Sequence, residues 1–396
     1  MNIDNLLADR TRKMSVNTIR EILKVVSQPG MVSLAGGIPA PESFPIDILQ
    51  VLTKSVLDKY GPASLQYDPT EGFGPLRNAL ANDLESRKGI QAASEDIFIA
   101  SGSQGVLDAA GKIFISKGDP IAVESPTYLG AIQAFDPYEP RYVTLKSDEL
   151  GLIPESLEEV LNRETVKFIY LVPTFQNPTG RTLPLNRRQR IADIIQAHDA
   201  LLIEDDPYGD LRYTGQPIPA IKTLAPGNVI YVSTLSKVFA PGLRIGYYIA
   251  PQEVRDWLVI VKQGVDLHTS TFNQALAAEY IQGGYLEQHL PHIIRLYRPR
   301  KDAMLTALQT YFPDEFTWSK PEGGMFVWVE GPANYDMQEL YYRCVKQNVA
   351  FVPGQFFYTD PSAGIHTMRL NFTMADEVTI DSAVKKLADI IKASLS

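Results

Sequence analysis

The stretch Val229-Ile-Tyr-Val-Ser233-Thr-Leu-Ser-Lys237-Val-Phe-Ala-Pro-Gly-Leu-Arg244-Ile-Gly-Tyr-Tyr-Ile249 holds two apolar runs separated by a polar turn with one lysine in it. Runs 229–233 and 244–249 are apolar at successive positions, as strands covered on both faces are. Moving outward, the same texture recurs at 97–100, 120–124, 141–145, 166–172 and 200–204. Helical patterns fall among and after these runs, at about 103–117, 127–135, 185–198 and 252–263. Alternation of this kind predicts an α/β fold with an open, mostly parallel seven-stranded sheet covered by helices.

After Ser270 the texture changes. Helical patterns at 271–282 and 285–310 lead to a strand at 326–329, a helix near 336–347, a strand at 369–372 and a closing helix near 376–394. This reads as a smaller α+β domain. The opening residues hold a helix near 18–26 and the segment Gly36-Gly-Ile-Pro-Ala-Pro41, too rich in turn formers to be core. The expected organisation is an N-terminal arm over 1–45, a large domain over 46–290 and a small C-terminal domain over 291–396.

Two domains suit a chain of 396 residues. A net charge of −9 argues against a nucleic-acid binder, which would show a basic face. The single cysteine, Cys344, permits no intrachain disulfide and no cysteine-based metal site. His289 and His292 are three apart and read as a helix surface rather than as ligands. With no secretory pattern at the start and no apolar run near the ~18 residues of a membrane span, the economical reading is a cytoplasmic protein.

In an open α/β sheet, ligands collect at the carboxyl ends of the strands. Ser103, Tyr128, Asn177, Asp205 and Lys237 all follow such ends. Lys237 lies among hydroxyls, a Pro-Gly turn and Arg244, seven positions on. An amine that condenses with an aldehyde must lose its proton, which cationic or apolar surroundings favour. Hydroxyls and an arginine also suit a phosphate. Together they suggest a lysine carrying pyridoxal phosphate as a Schiff base, although Ser-Lys alone equally describes a loop lysine in solvent.

The other motifs each allow two readings. Ser101-Gly-Ser-Gln-Gly105, with Ser103 as N-cap, is an anion site or an ordinary capped helix. Tyr128 stacks on a flat cofactor or simply packs. Asn177-Pro-Thr-Gly180 supplies an amide donor or is only a turn. Glu204-Asp-Asp-Pro-Tyr208 puts carboxylates at the end of a buried strand, where charge needs a partner. A pyridinium N–H at Asp205 is one such partner, and a divalent metal between Asp205 and Asp206 is the other. Arg369, inside an apolar strand, meets a substrate carboxylate or a structural salt bridge.

Taken in order, these motifs resemble the fold-type I pyridoxal-phosphate aminotransferases, most closely the branch with the 2-aminoadipate and kynurenine aminotransferases, over essentially the whole chain. The resemblance implies an aspartate-aminotransferase-like fold and pyridoxal 5′-phosphate as cofactor. It makes Lys237 the Schiff-base lysine and the acid–base group. Asp205 pairs with the ring nitrogen, Asn177 and Tyr208 bond the phenolic oxygen, and Tyr128 stacks on the ring. Ser103, Gln104, Thr234, Ser236 and Arg244 cradle the phosphate; Thr234 stands where relatives often have serine. Arg369 grips the substrate α-carboxylate, with Asn177 and Gly37 beside the substrate. Arg20 meets an acidic side chain or is merely a solvated helix residue. Tyr67 matches a tyrosine given to the neighbouring subunit's phosphate, which implies a homodimer with shared sites.

The implied reaction is a ping-pong transfer of an amino group from an L-amino acid to a 2-oxo acid, with 2-oxoglutarate the expected acceptor. Aminoadipate, aromatic and branched-chain or methionine-like donors all fit. A lyase or decarboxylase on the same scaffold is the alternative. A cofactor-sensing transcription regulator is the other; about 45 residues before the large domain are too few for its DNA-binding module.

Overall fold

Seven strands form the central sheet of the computed structural model, which describes residues 3–12 and 30–395. In chain order they are β1 (Ile97–Ala100), β2 (Pro120–Glu124), β3 (Arg141–Leu145), β4 (Ile169–Leu171), β5 (Leu202–Asp205), β6 (Val229–Thr234) and β7 (Gly246–Ile249). Across the sheet the order is β1-β7-β6-β5-β4-β2-β3. All neighbours pair in parallel except β7, which runs antiparallel to both β1 and β6.

Period-two alternation explains why these runs are apolar throughout. Ile121 and Val123, Ile203, Ile230 and Val232 join the core on one face of the sheet. Their neighbours Ala122, Leu202 and Val229 join the core on the other face. Each face is covered by helices, so most positions of the inner strands need an apolar side chain, while the edge strand β3 leaves Arg141 and Thr144 exposed. Helices α1 (Ile46–Tyr60), α2 (Gly74–Lys88), α3 (Ser103–Phe114), α4 (Leu129–Phe135), α5 (Pro154–Arg163), α6 (Leu185–Ala197), α7 (Gln252–Val265) and α8 (Thr271–Gln282) supply the cover.

The 27-residue helix α9 (Tyr285–Tyr311) leads into the small domain. There β8 (Thr317–Trp318), β9 (Phe326–Glu330), β10 (Val352–Pro353) and β11 (Thr367–Asn371) form an antiparallel sheet in the order β8-β9-β11-β10. Helix α10 (Met337–Val345) and the closing helix α11 (Glu377–Leu395) complete it, with α11 packed along α9.

Two expectations are corrected here. The segment after Ser33 is an N-terminal arm, as expected, but its turn formers do not keep it out of the core: Leu34 and Ala40 are fully buried. Its backbone finds partners in distant elements, which no local pattern reveals. Val32–Ser33 pairs in parallel with Val349–Ala350, the Leu34 carbonyl accepts from the Asn371 N–H at 2.7 Å, and the Ala40 N–H donates to the Tyr297 hydroxyl at 2.9 Å. Likewise His289 is no surface residue. It is buried with Nδ1 2.8 Å from the Tyr280 hydroxyl, while His292 is exposed. The helix expected near 18–26 lies outside the described residues.

Candidate active site

The carboxyl ends of β1, β2, β4, β5 and β6 share one edge of the sheet, and β7 starts there, Gly246 pairing with both Ala100 and Thr234. The residues that follow these ends converge on a cavity of about 310 Å³. The large domain contributes Ser103, Gln104, Tyr128, Asn177, Asp205, Tyr208, Thr234, Ser236, Lys237 and Arg244 to its wall. Residues 35–38, including Gly37, close it from one side, and Val352, Phe357 and Arg369 of the small domain from another.

Lys237 ends a short helical turn, Leu235–Lys237, which is capped by the Thr234 side chain. Its Nζ donates to the Gly37 carbonyl at 3.0 Å. Burial, reinforced by the charges of Arg369 and Arg244, pushes its pKa down to about 8. Removing an ammonium from water and setting two guanidinium groups near it both favour the neutral amine. The result is a nucleophile available near neutral pH.

The three successive carboxylates after Leu202 go to three different places. Glu204 accepts from the backbone N–H groups of Ile221 (2.9 Å) and Lys222 (2.7 Å), capping a short helix. Asp206 accepts from Lys88 at 2.9 Å and from the Tyr231 hydroxyl at 2.6 Å. Asp205 faces the cavity. Its Oδ2 takes the Tyr170 hydroxyl at 2.7 Å, while its Oδ1 is buried without a partner among the described residues. Asp205 and Asp206 therefore do not form the two-carboxylate metal pair that the sequence allowed.

Burial pushes the Asp205 carboxyl up to about 7, and the adjacent Asp206 charge acts the same way. A folded pKa above the unfolded value near 3.8 means that the folded chain binds the extra proton between the two. The associated stability is complete below pH ~4 and lost as pH rises to about 7, up to ~4 kcal/mol for a three-unit shift. Glu124 and Glu204 are raised too, to about 8 and about 7. Subtracting the melting profile of Asp205→Asn from that of the wild type, both cofactor-free, isolates the Asp205 share. We expect the difference to fall by several degrees between pH 4 and 7; a flat difference contradicts it.

One end of the cavity is built for an anion. Ser103 is not the N-cap of α3, as the sequence suggested; Gly102 is, with φ 83°. A Cβ there would collide with the Arg244 guanidinium. A Cβ on Gly246 would sit 2.6 Å from the Ser103 nitrogen. Two glycines thus bring the helix start, Arg244 and β7 into close approach, and Ser103 keeps its hydroxyl free of capping duty. Arg244 itself has φ 55° and makes only long contacts, 3.4 Å, to the Pro241 and Ser101 carbonyls. No carboxylate among the described residues pairs with it. Thr234 and Ser236 hydroxyls lie 2.9 Å apart beside it, and Gln104 is held by the Gly130 carbonyl at 2.6 Å. Free N–H groups at a helix start, hydroxyls and an unpaired guanidinium suit a phosphate.

Arg369 crosses the opposite wall. Its Nη1 donates to Asn177 Oδ1 at 2.9 Å and its Nη2 to the Ala35 carbonyl at 2.7 Å. Phe326 and Phe357 lie 4.2 and 5.0 Å from the guanidinium carbon. Its Nε is buried and unpartnered, and no carboxylate among the described residues reaches it. The structural salt bridge is thereby replaced by an uncompensated buried cation, which calls for an anionic ligand. Burial lowers its pKa to about 10. Asn177 also donates to the Tyr208 hydroxyl at 3.2 Å. Tyr128 precedes α4, and a Cβ on Gly130 would strike its ring, so Gly130 leaves room for that ring against the wall.

Tyr67 is not in the cavity. It is 78% exposed, with its ring edge-on to His268 at 5.6 Å. Arg20 lies outside the described residues. Sequence reasoning missed Phe357, Val352 and Tyr170: Phe357 and Val352 carry no motif, and Tyr170 is one apolar-looking position inside a strand. The donor set nevertheless fits pyridoxal phosphate, with an amine for its aldehyde, an anion cradle for its phosphate and an orphaned carboxylate oxygen for a ring N–H.

Residues 32–387 match the family described as aminotransferase class I and II. The chain is 44% identical to the aromatic-amino-acid aminotransferase 1 of Thermococcus litoralis, over 100% of this chain and 96% of that one. It is 40% identical to the 2-aminoadipate transaminase of Thermus thermophilus, over 97% and 96%. Its fold matches the crystal structure of a kynurenine aminotransferase from Pyrococcus horikoshii, solved in complex with PMP, KYN and KYA, with a TM-score of 0.96. That match has 43% identity and covers 100% of this chain and 99% of that one.

Proposed function

The chain belongs to the aminotransferase class I and II family, near its 2-aminoadipate and kynurenine aminotransferases, and from that premise we propose that it transfers the amino group of an L-amino acid to a 2-oxo acid, with pyridoxal 5′-phosphate held at Lys237. One observation carries this reading. A single cavity holds an amine that burial makes easy to deprotonate and a carboxylate whose inner oxygen has no partner among the described residues.

Pyridoxal phosphate, when bound, supplies a ring that takes up the electron pair left when a substrate Cα loses its proton. Asp205 would hold a proton on the ring nitrogen through Oδ1. Asn177 and Tyr208 would donate to the phenolic oxygen, and Ser103, Gln104, Thr234, Ser236 and Arg244 would hold the phosphate. Tyr128, in the cavity wall, would stack on the ring. Arg369 orients the substrate α-carboxylate, and Lys237, as the free amine, moves the proton at Cα. Orientation and proton transfer are then divided between the two domains.

The donor we favour is of 2-aminoadipate or aromatic type, with branched-chain and methionine-like amino acids next. The relatives' names support the first two, and the apolar side chains of Ile38, Val352 and Phe357 in the wall support all but the acidic one. Arg20 is our assignment for the acidic donor. Arg20→Ala should lower kcat/KM by about 10-fold or more for 2-aminoadipate and glutamate while leaving phenylalanine and leucine within about twofold. A uniform loss over all four contradicts the assignment. A donor screen with 2-oxoglutarate and pyruvate tests the reaction itself. Oxo-acid product that forms only when an acceptor is present supports transfer, and product without an acceptor supports a lyase or decarboxylase.

We also propose a homodimer, with Tyr67 offered to the neighbouring site. Its exposure, and that of nearby Leu65 at 71%, support this. Light scattering that finds a monomer would remove it.

A further inference from the structure

Tyr170 is a fully buried residue of β4 whose hydroxyl donates to Asp205 Oδ2 at 2.7 Å. No other protein donor among the described residues reaches the Asp205 carboxylate. A carboxylate can accept on both oxygens, yet here one oxygen is fixed by a phenol and the other, Oδ1, is buried without a partner among the described residues. Two strands set this pairing, since β4 and β5 are parallel neighbours with Tyr170 opposite Ile203. The phenol therefore reaches Asp205 from the adjacent strand.

We propose that Tyr170 is a positioning residue that turns the Asp205 carboxylate so that Oδ1 meets the ring N–H of the cofactor. This rests on the pyridoxal phosphate reading above. The charges around Asp205 support it. Burial and the neighbouring Asp206 both oppose its ionisation, and the Tyr170 hydrogen bond is the influence that favours it. Tyr128 and Tyr208 also face Asp205, but both phenols stay neutral across the physiological range. Tyr170 itself is pushed well above the usual phenol value by burial and by Asp205, so it remains a donor throughout.

A purely packing role is the competing explanation, since the ring also lies edge-on to Phe135 at 5.9 Å. Tyr170→Phe keeps that packing and removes the hydroxyl. The test is the affinity of the cofactor-free full chain for pyridoxal phosphate and for its 1-deaza analogue, in which a C–H replaces the ring nitrogen. We expect Tyr170→Phe to bind pyridoxal phosphate on the order of 10- to 100-fold more weakly, the range of a hydrogen bond to a charged group. Binding of the deaza compound should stay within about twofold or tighten. In an Asp205→Asn background the tyrosine change should have no further effect on either compound.

A second readout needs no cofactor. Losing a hydrogen bond to the ionised form raises the folded-state pKa of Asp205, so the loss of stability with rising pH should extend about one to two pH units higher than in the wild type. Equal weakening for both compounds, or no weakening for either, overturns the proposal. A wild type that does not discriminate between the two compounds overturns the cofactor reading at Asp205 together with this assignment. A wild-type preference that survives unchanged in Tyr170→Phe overturns the tyrosine alone.

Discussion

Lys237→Ala should leave no measurable transfer, a fall of at least about 10⁴-fold, because one side chain is lost from both cofactor attachment and proton movement. The cofactor-loaded variant should also lose the visible absorbance of the lysine-bound vitamer, and borohydride should no longer fix that vitamer to the chain. Folding failure is not expected to be the cause. At neutral pH the wild-type ammonium is held in a site that has pushed its pKa from 10.5 to about 8, an unfavourable contribution of up to ~3 kcal/mol. Alanine removes that charge, so the cofactor-free variant should melt no lower than the wild type. Turnover near the wild-type rate in the variant would rule out this chemistry, and a collapsed melting temperature would show that Lys237 is structural.

Arg369→Ala should weaken kcat/KM for every amino acid by roughly 30- to 4000-fold, the range for truncating one member of a buried charge pair. The breadth of the effect is the point. Every donor carries an α-carboxylate, whereas only some carry an acidic side chain. Lysine at this position should restore little. The guanidinium lies within 5.0 Å of the Phe326 and Phe357 ring centroids while donating to Asn177 and Ala35, and a point-charge ammonium cannot reproduce those contacts together. Steady-state kinetics with an acidic, an aromatic and an aliphatic donor check the prediction. A loss confined to one donor class would move the carboxylate site elsewhere.

The sheet was largely legible because its strands are buried on both faces, so runs such as 97–100 and 120–124 stand out without alternation to interpret. The motif residues were legible because strand ends are where an open sheet places them. What stayed hidden depends on partners far away in the chain. Residues 34–40 look like a loop, but Leu34 and Ala40 are buried because β11 and Tyr297, more than 250 residues on, receive their backbone groups. Ser103 looks like a cap, yet Gly102 takes that position at φ 83°, a backbone conformation that side chains rarely adopt. His289 reads as a surface residue by its chemistry, yet it shares the buried face of α9 with Leu286, Ile293 and Tyr297 and meets the Tyr280 hydroxyl there. Tyr170 carries no motif at all, since one more aromatic in an apolar strand is the expected composition.

The divergence of Glu204, Asp205 and Asp206 restricts how this gene can drift. A codon gained or lost in β5 ahead of Glu204 would turn all three side chains at once, stranding the helix start at Ile221, the lysine at position 88 and the cavity in a single event. The exposed residues 215–217 just downstream carry no such obligation. Length polymorphism in this region should therefore accumulate after Thr214, while β5 stays frozen to the residue.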